Sequence, residues 1–131
     1  MDLLQIESIV TTQLRARVPK ITDNKYTHMS FTNEISEQTP SFPNVYIHEL
    51  EPSEVGNTIP NNQIHAIRST IQIEVTTNVS RTDARIVANA CITAMKALRY
   101  SLVVGPTYVK ANNIHRYIIR MRRVIASGDE F

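Results

Sequence analysis

Glycine is scarce in this chain, at three residues in 131, and neither a GxGxxG dinucleotide fingerprint nor a Walker phosphate loop can be written with so few. Cysteine is scarcer still: Cys91 stands alone and cannot close an internal disulfide, which suits a reducing compartment. The histidines, His28, His48, His65 and His115, are scattered with no HxH or HExxH spacing, so no metal site and no cofactor are expected. Long apolar runs are missing as well. The opening segment MDLLQIESIVTTQLRARV has spaced apolar residues, no basic start and no cleavage site, so it reads as neither signal peptide nor membrane span. The expectation is a soluble protein made in the cytoplasm, with no membrane partner. On that expectation the Asn78-Val79-Ser80 sequon is accidental. A formal charge of +2 with no basic tail is too small to mark a dedicated nucleic-acid binder.

Groups for catalysis are equally thin. Cys91 has Val87, Ala88, Ala94 and Met95 three and four residues away on a helical pattern, which makes it a packing residue rather than a nucleophile. Paired carboxylates would have to come from Glu49, Glu51, Glu54 or Glu74, which fall on outward faces or loops where solvation accounts for them. No catalytic residue is expected. The protein is read as not an enzyme.

What the chain does have is pattern. With 42% hydrophobic and 20% charged residues, its 131 residues suit one globular domain, residues 1 to 131, with a single core. Residues 65 to 98, HAIRSTIQIEVTTNVSRTDARIVANACITAMKAL, carry the clearest signal. Ile67, Ile71, Ile73, Val75 and Val79 alternate with Arg68, Thr70, Gln72, Glu74, Thr76 and Asn78, a period of two that predicts a strand with one wet face. At Ser80 the period changes. Ser80 and Asp83 have capping-box spacing, and Ala84, Val87, Ala88, Cys91, Ile92, Met95 and Leu98 recur at helical spacing, predicting a second helix over 80–98.

Elsewhere, Leu3, Leu4, Ile6, Val10 and Leu14 predict a first helix within residues 1 to 18, about 2 to 17, with Asp2 as a weak cap and Pro19 after the last turn. KYTHMSF is a short candidate strand. Pro43 and Pro52 bracket a strand over 44–50, with Val45, Ile47 and Glu49 on one face. SEVGNTIPNNQ then forms a loop, so residues 44 to 79 make a long hairpin with a projecting tip. YSLVVGPTYVKANN reads as a turn-rich connection with at most a brief strand. IHRYIIRMRRVIA predicts the last strand, 114–126, with Tyr117, Ile119, Met121 and Ile125 on one face. Arg123 falls on that face and either marks a bulge or lies beyond the core edge. Residues 127–131, SGDEF, form a tail. The fold class is therefore α+β: an antiparallel sheet of about four strands, two helices packed on one face, and a long projecting hairpin.

The long strand raises a question of reach. Fifteen residues at about 3.3 Å each span on the order of 50 Å, whereas a domain of this size has a diameter of roughly 36 Å. Either the strand overshoots as an arm covered by another copy of the chain, or a bulge near Ser69 bends it back onto the domain. The last strand raises another. Arg116, Arg120 and Arg122 share a face, and form either a positive stripe for phosphate or a partner's carboxylates, or a wet face paired with Glu74 and other cross-strand neighbours.

A small, cysteine-poor, motif-free chain with a leading helix, an FPNVYIHELE strand opening on Phe42-Pro43-x-Val45, a long alternating strand running into an Ala-rich helix, and a terminal strand resembles the tail terminator, or tail completion, proteins of long-tailed bacteriophages. The resemblance implies a virion structural protein assembled in the host cytoplasm. It would form a ring of copies of itself, expected as a hexamer, at the head-proximal end of the tail. There it would contact the tail tube protein and the head-tail connector protein, stop tube growth, and let DNA pass non-specifically through its lumen. No catalytic residue comes with that family. The interface candidates are Arg116, Arg120, Arg122, Glu74, Glu54, Asn57, Ile59 and Asn61. The alternative from another class is a small ligand-binding module or enzyme subunit with a pocket between sheet and helices, lined by Tyr117 or His48.

Overall fold

The computed structural model describes residues 4–26, 29–32, 42–55 and 66–126. Its elements run α1 (Leu4–Ile21), β1 (Ser30–Thr32), β2 (Asn44–Val55), β3 (Ala66–Thr77), α2 (Arg81–Ala97), β4 (Ser101–Ala111) and β5 (Ile114–Ala126). One five-stranded sheet takes the order β1-β2-β3-β5-β4 and is antiparallel except at the β1/β2 pair. Both helices cover the same face, giving an α+β architecture.

The alternation in β3 sets the core. Ile73 lies opposite Ile47 on one side and Ile119 on the other, and Val75 opposite Val45 and Tyr117, so rows of apolar side chains cross the sheet on its inner face. Against them α1 buries Ile6, Val10, Leu14 and Val18, four residues apart on one stripe, and α2 buries Ala84, Val87, Ala88, Cys91, Ala94 and Met95. Each fully buried Ile, Leu or Val contributes about 1.5–3 kcal/mol of transfer free energy.

Local chemistry fixes the ends of α2. Ser80 is extended, and its Oγ accepts from the Asp83 amide at 3.1 Å, satisfying one of the orphan donors of the first turn. Asp83 in turn accepts from Tyr26 at 2.8 Å and so ties the start of α2 to the segment after α1. At the other end Arg99 adopts a left-handed conformation (φ 69°), its amide donating to Lys96 and that of Tyr100 to Met95. This is a Schellman closure with arginine where glycine is usual.

Several expectations need correction. The helix α1 does not stop before Pro19 but continues to Ile21; proline in the last turn removes a single amide, and Thr22 closes the turn through its amide and hydroxyl to the Val18 carbonyl. Strand β2 likewise passes Pro52, because the register slips by one residue between Leu50 and Ser53, and Pro52 sits in that bulge where no ladder donor is needed. The sheet has five strands rather than about four. The connection expected after α2 is the 11-residue strand β4, and its hairpin to β5 turns at Asn112 and Asn113, both at positive φ. Strand β3 is shorter than expected: it ends at Thr77, and Val79 is exposed. Its 12 residues are paired along their length with β5, and with β2 on either side of the bulge, so the described part of β3 has no overhang. The bulge lies on β2 opposite Ser69, close to where the compact alternative places one. The tip of the hairpin, residues 56–65, lies outside the described residues, as do Asp2 and the 127–131 tail.

Candidate interaction face

Residues directly opposite in antiparallel pairs share a face, so the side of the sheet away from the helices can be read from the register. It carries Tyr46, His48 and Leu50 from β2; Arg68, Thr70, Gln72, Glu74 and Thr76 from β3; and Arg116, Ile118, Arg120, Arg122 and Val124 from β5. No helix covers it. The three β5 arginines are exposed and aligned, as their spacing predicts. Two of them have cross-strand partners within the chain: Arg116 Nη1 lies 3.8 Å from Glu74 Oε1, and Arg120 Nε donates to Gln72 Oε1 at 2.9 Å. Arg122 has no ion pair or side-chain hydrogen bond among the described residues. Among the described side chains the face holds four arginines, Arg68 included, against Glu74, and exposed ion pairs of this kind contribute about 0–1 kcal/mol each. The face is net positive.

Tyr46 and His48 stack on the same face with ring centroids 6.1 Å apart, an aromatic element two strands away from the arginine stripe that the reading of β5 by itself passes over. Glu54 is placed in β2 opposite Ile67. Asn57, Ile59 and Asn61 lie outside the described residues. Tyr117 is buried on the inner face, between sheet and helices, whereas His48 is exposed on the outer face and cannot line a pocket there.

Arg123 neither marks a bulge against β3 nor lies outside the core. The β3/β5 register is unbroken at Ser69↔Arg123, and Arg123 is buried on the inner face, where Nη1 donates to the Leu98 carbonyl at the C-terminal end of α2. A cation there meets the negative end of the helix dipole. Around it lies a polar group within the apolar layer: Ser69 Oγ is 2.9 Å from Tyr100 Oη and donates to Glu49 Oε1 at 3.4 Å, while Glu7 Oε2 accepts from the Glu49 amide at 3.1 Å. Burial, more than the nearby Glu7, pushes the Glu49 carboxyl above its ordinary value, against the pull of the Ser69 hydrogen bond. Burial also raises Tyr100 and pushes the Cys91 thiol up to about 12. Cys91 is thus an un-ionised core thiol at neutral pH.

A second cluster ties α2 to the outer hairpin. Arg81 Nε donates to Tyr117 Oη at 3.0 Å, and its guanidinium lies 4.2 Å from the Tyr108 ring centroid. Tyr108 Oη is 2.7 Å from His115 Nδ1.

The sheet ends in β4, and β4 is irregular. Its register against β5 slips between Leu102 and Val104 and again between Val104 and Thr107, where Gly105 (φ 96°) brings its backbone against the Ile118 carbonyl. The slips break the alternation, and Leu102, Val103, Val104 and Val109 stand 41–45% exposed. Where β5 runs past the start of β4, a cleft of about 450 Å³ is lined by Arg99, Ser101, Val103, Arg122, Arg123 and Val124. Among the described residues there is no group of three or more metal-ligating side chains, and no helix is long and apolar enough to cross a membrane. The chain matches no protein-family model and no curated protein sequence.

Proposed function

We propose that this chain is a structural virion protein, a tail terminator of a long-tailed bacteriophage, which assembles as a ring at the head-proximal end of the tail. The observation that carries the reading is a sheet covered, among the described residues, by helices on one face only and ending in an 11-residue edge strand on which Leu102, Val103, Val104 and Val109 remain partly exposed. An edge of that length and composition suits completion by another chain. The element order supports it too: a leading helix, the FPNVYIHELE strand, an alternating strand passing directly into an Ala-rich helix, and a terminal strand. In this reading the partners are copies of the chain, expected as a hexamer, with the tail tube protein below and the head-tail connector protein above. DNA crosses the lumen without sequence-specific contact, and any hold on it weakens with salt.

The protein's product is a contact, so its removal is the test. Particles assembled without this chain should contain tubes of uncontrolled length that do not join heads. Tubes of normal length joined to filled heads would contradict the proposal.

A further inference from the structure

We infer that copies of this chain join flank to flank, the acidic β2 side of one against the basic β4 side of the next. The inference rests on the ring reading and specifies its contact. It starts from a partition of charge in the sequence that the sheet order carries to the two edges of the sheet; the cations of α1, Arg15, Arg17 and Lys20, belong to the helix layer and not to a strand. Between Tyr26 and Ile67 the chain has Glu34, Glu37, Glu49, Glu51 and Glu54 and no lysine or arginine. From Ala84 to Gly128 it has eight lysines and arginines and no aspartate or glutamate. The sheet order β1-β2-β3-β5-β4 sends these two segments to opposite sides, with Glu49, Glu51 and Glu54 on β2 at one flank. Arg99, Lys110 and Arg122 belong to the other.

Both flanks have backbone to offer. The short strand β1 pairs only with residues 44–46 of β2, so from Ile47 to Val55 that side of β2 has no strand beside it among the described residues. On the far side β4 is the edge, and past the Ser101↔Arg122 pair the last residues of β5 have no strand beside them on that side among the described residues. Direction fits as well. Three successive antiparallel pairings, β2/β3, β3/β5 and β5/β4, leave β4 running opposite to β2. A β2 flank brought beside β4 in the same orientation therefore makes another antiparallel neighbour, with the helices of both copies on one side. The bulges at Leu50/Ser53 and Val104/Thr107 confine any shared ladder to short runs near 47–50 and 107–111. Charge then sets orientation, and the cleft bordered by Arg99, Arg122, Val103 and Val124 offers a seat for the Glu51 and Glu54 segment. Unlike patches on opposite sides make a heterologous contact, the kind that propagates from copy to copy and closes into a ring when the rotation between copies allows.

The contact predicts a rescue. Glu51→Lys/Glu54→Lys and Arg99→Glu/Arg122→Glu, each folded by circular dichroism, should separately assemble about tenfold more weakly or worse, because attraction becomes like-charge repulsion. Mixed in equal amounts, the two variants should rebuild alternating rings of full mass, since each reversed flank then meets a reversed partner. Arg99→Gly supplies a second probe: glycine suits the left-handed conformation at this position, so the fold is kept while one cation is lost, and assembly should become weaker at a given salt concentration. Wild-type rings accompanied by variants that assemble normally, or that fail to rescue one another, would overturn the flank assignment and leave the ring standing. A wild-type chain that stays monomeric at high concentration and low salt would remove the ring itself.

Discussion

Glu49 is the residue where the core and water compete most directly. Its carboxyl is half-buried beside Ser69 and close to Glu7, and folding favours its protonated form, so its folded pKa lies above the ordinary 4.5. The sign follows from proton binding. Below 4.5 both folded and unfolded chains hold the proton and nothing is lost; as pH rises from there, the unfolded chain releases it first and stability falls until the folded carboxyl ionises too. Glu49→Gln keeps an acceptor for Ser69 and removes the charge. Its advantage over wild type should be small at pH 4 and grow towards pH 7, read from urea midpoints at both values. An advantage that is equal at both would show that Glu49 is already solvated. Its position was legible in part: alternation put it with Val45 and Ile47, but nothing local could foresee Ser69 and Tyr100, which arrive from 20 and 51 residues further along the chain. Arg123 was misread for the same reason, because its acceptor is the end of a helix 25 residues away.

At the scale of elements, what was legible followed period, and what was missed followed its interruption. The strand β3 and the helix α2 announced themselves because alternation and a capping box act within a few residues, and Ser80 caps α2 as its spacing implied. Strand β4 did not. Two extra residues against β5 break its alternation, and Gly105-Pro106 reads as a turn when neighbours in sequence are all that is known. The expected length of β3 counted residues 78 and 79 into a strand that ends at Thr77, while residue 65 lies outside the described residues. Gly105 is the residue on which β4 depends. At φ 96° a side chain is strained, and a Cβ there would press on the Ile118 carbonyl, which belongs to the ladder and has little room to move. Gly105→Ala should therefore cost about 1–3 kcal/mol of stability, the range seen when well-packed positions are overfilled. An unchanged denaturation midpoint would mean that the bulge reshapes at little cost and that β4 is looser than its pairing suggests.

For the whole molecule, the balance of forces says which part of an interface would stabilise it and which would direct it. Exposed ion pairs contribute about 0.2–1 kcal/mol each and weaken with salt, so arginines and glutamates at the two flanks cannot hold a ring together by themselves. Burial of the exposed Leu102, Val103, Val104, Val109 and Val124, at about 25 cal/mol per Å² of apolar surface, supplies more once a contact of ordinary size forms. Charge then chooses the partner and its direction. The two helices lie on the face away from the arginine stripe, so a ring built through the flanks would have one helical wall and one wall bearing Arg116 and Arg120. The most direct measurement is the mass of the purified protein in solution at low and high salt. The account predicts one discrete closed species, about 90 kDa for six chains of 14.9 kDa, that dissociates to monomer on dilution and does so at higher protein concentration as salt rises. A single 14.9 kDa species at every concentration and salt would contradict it.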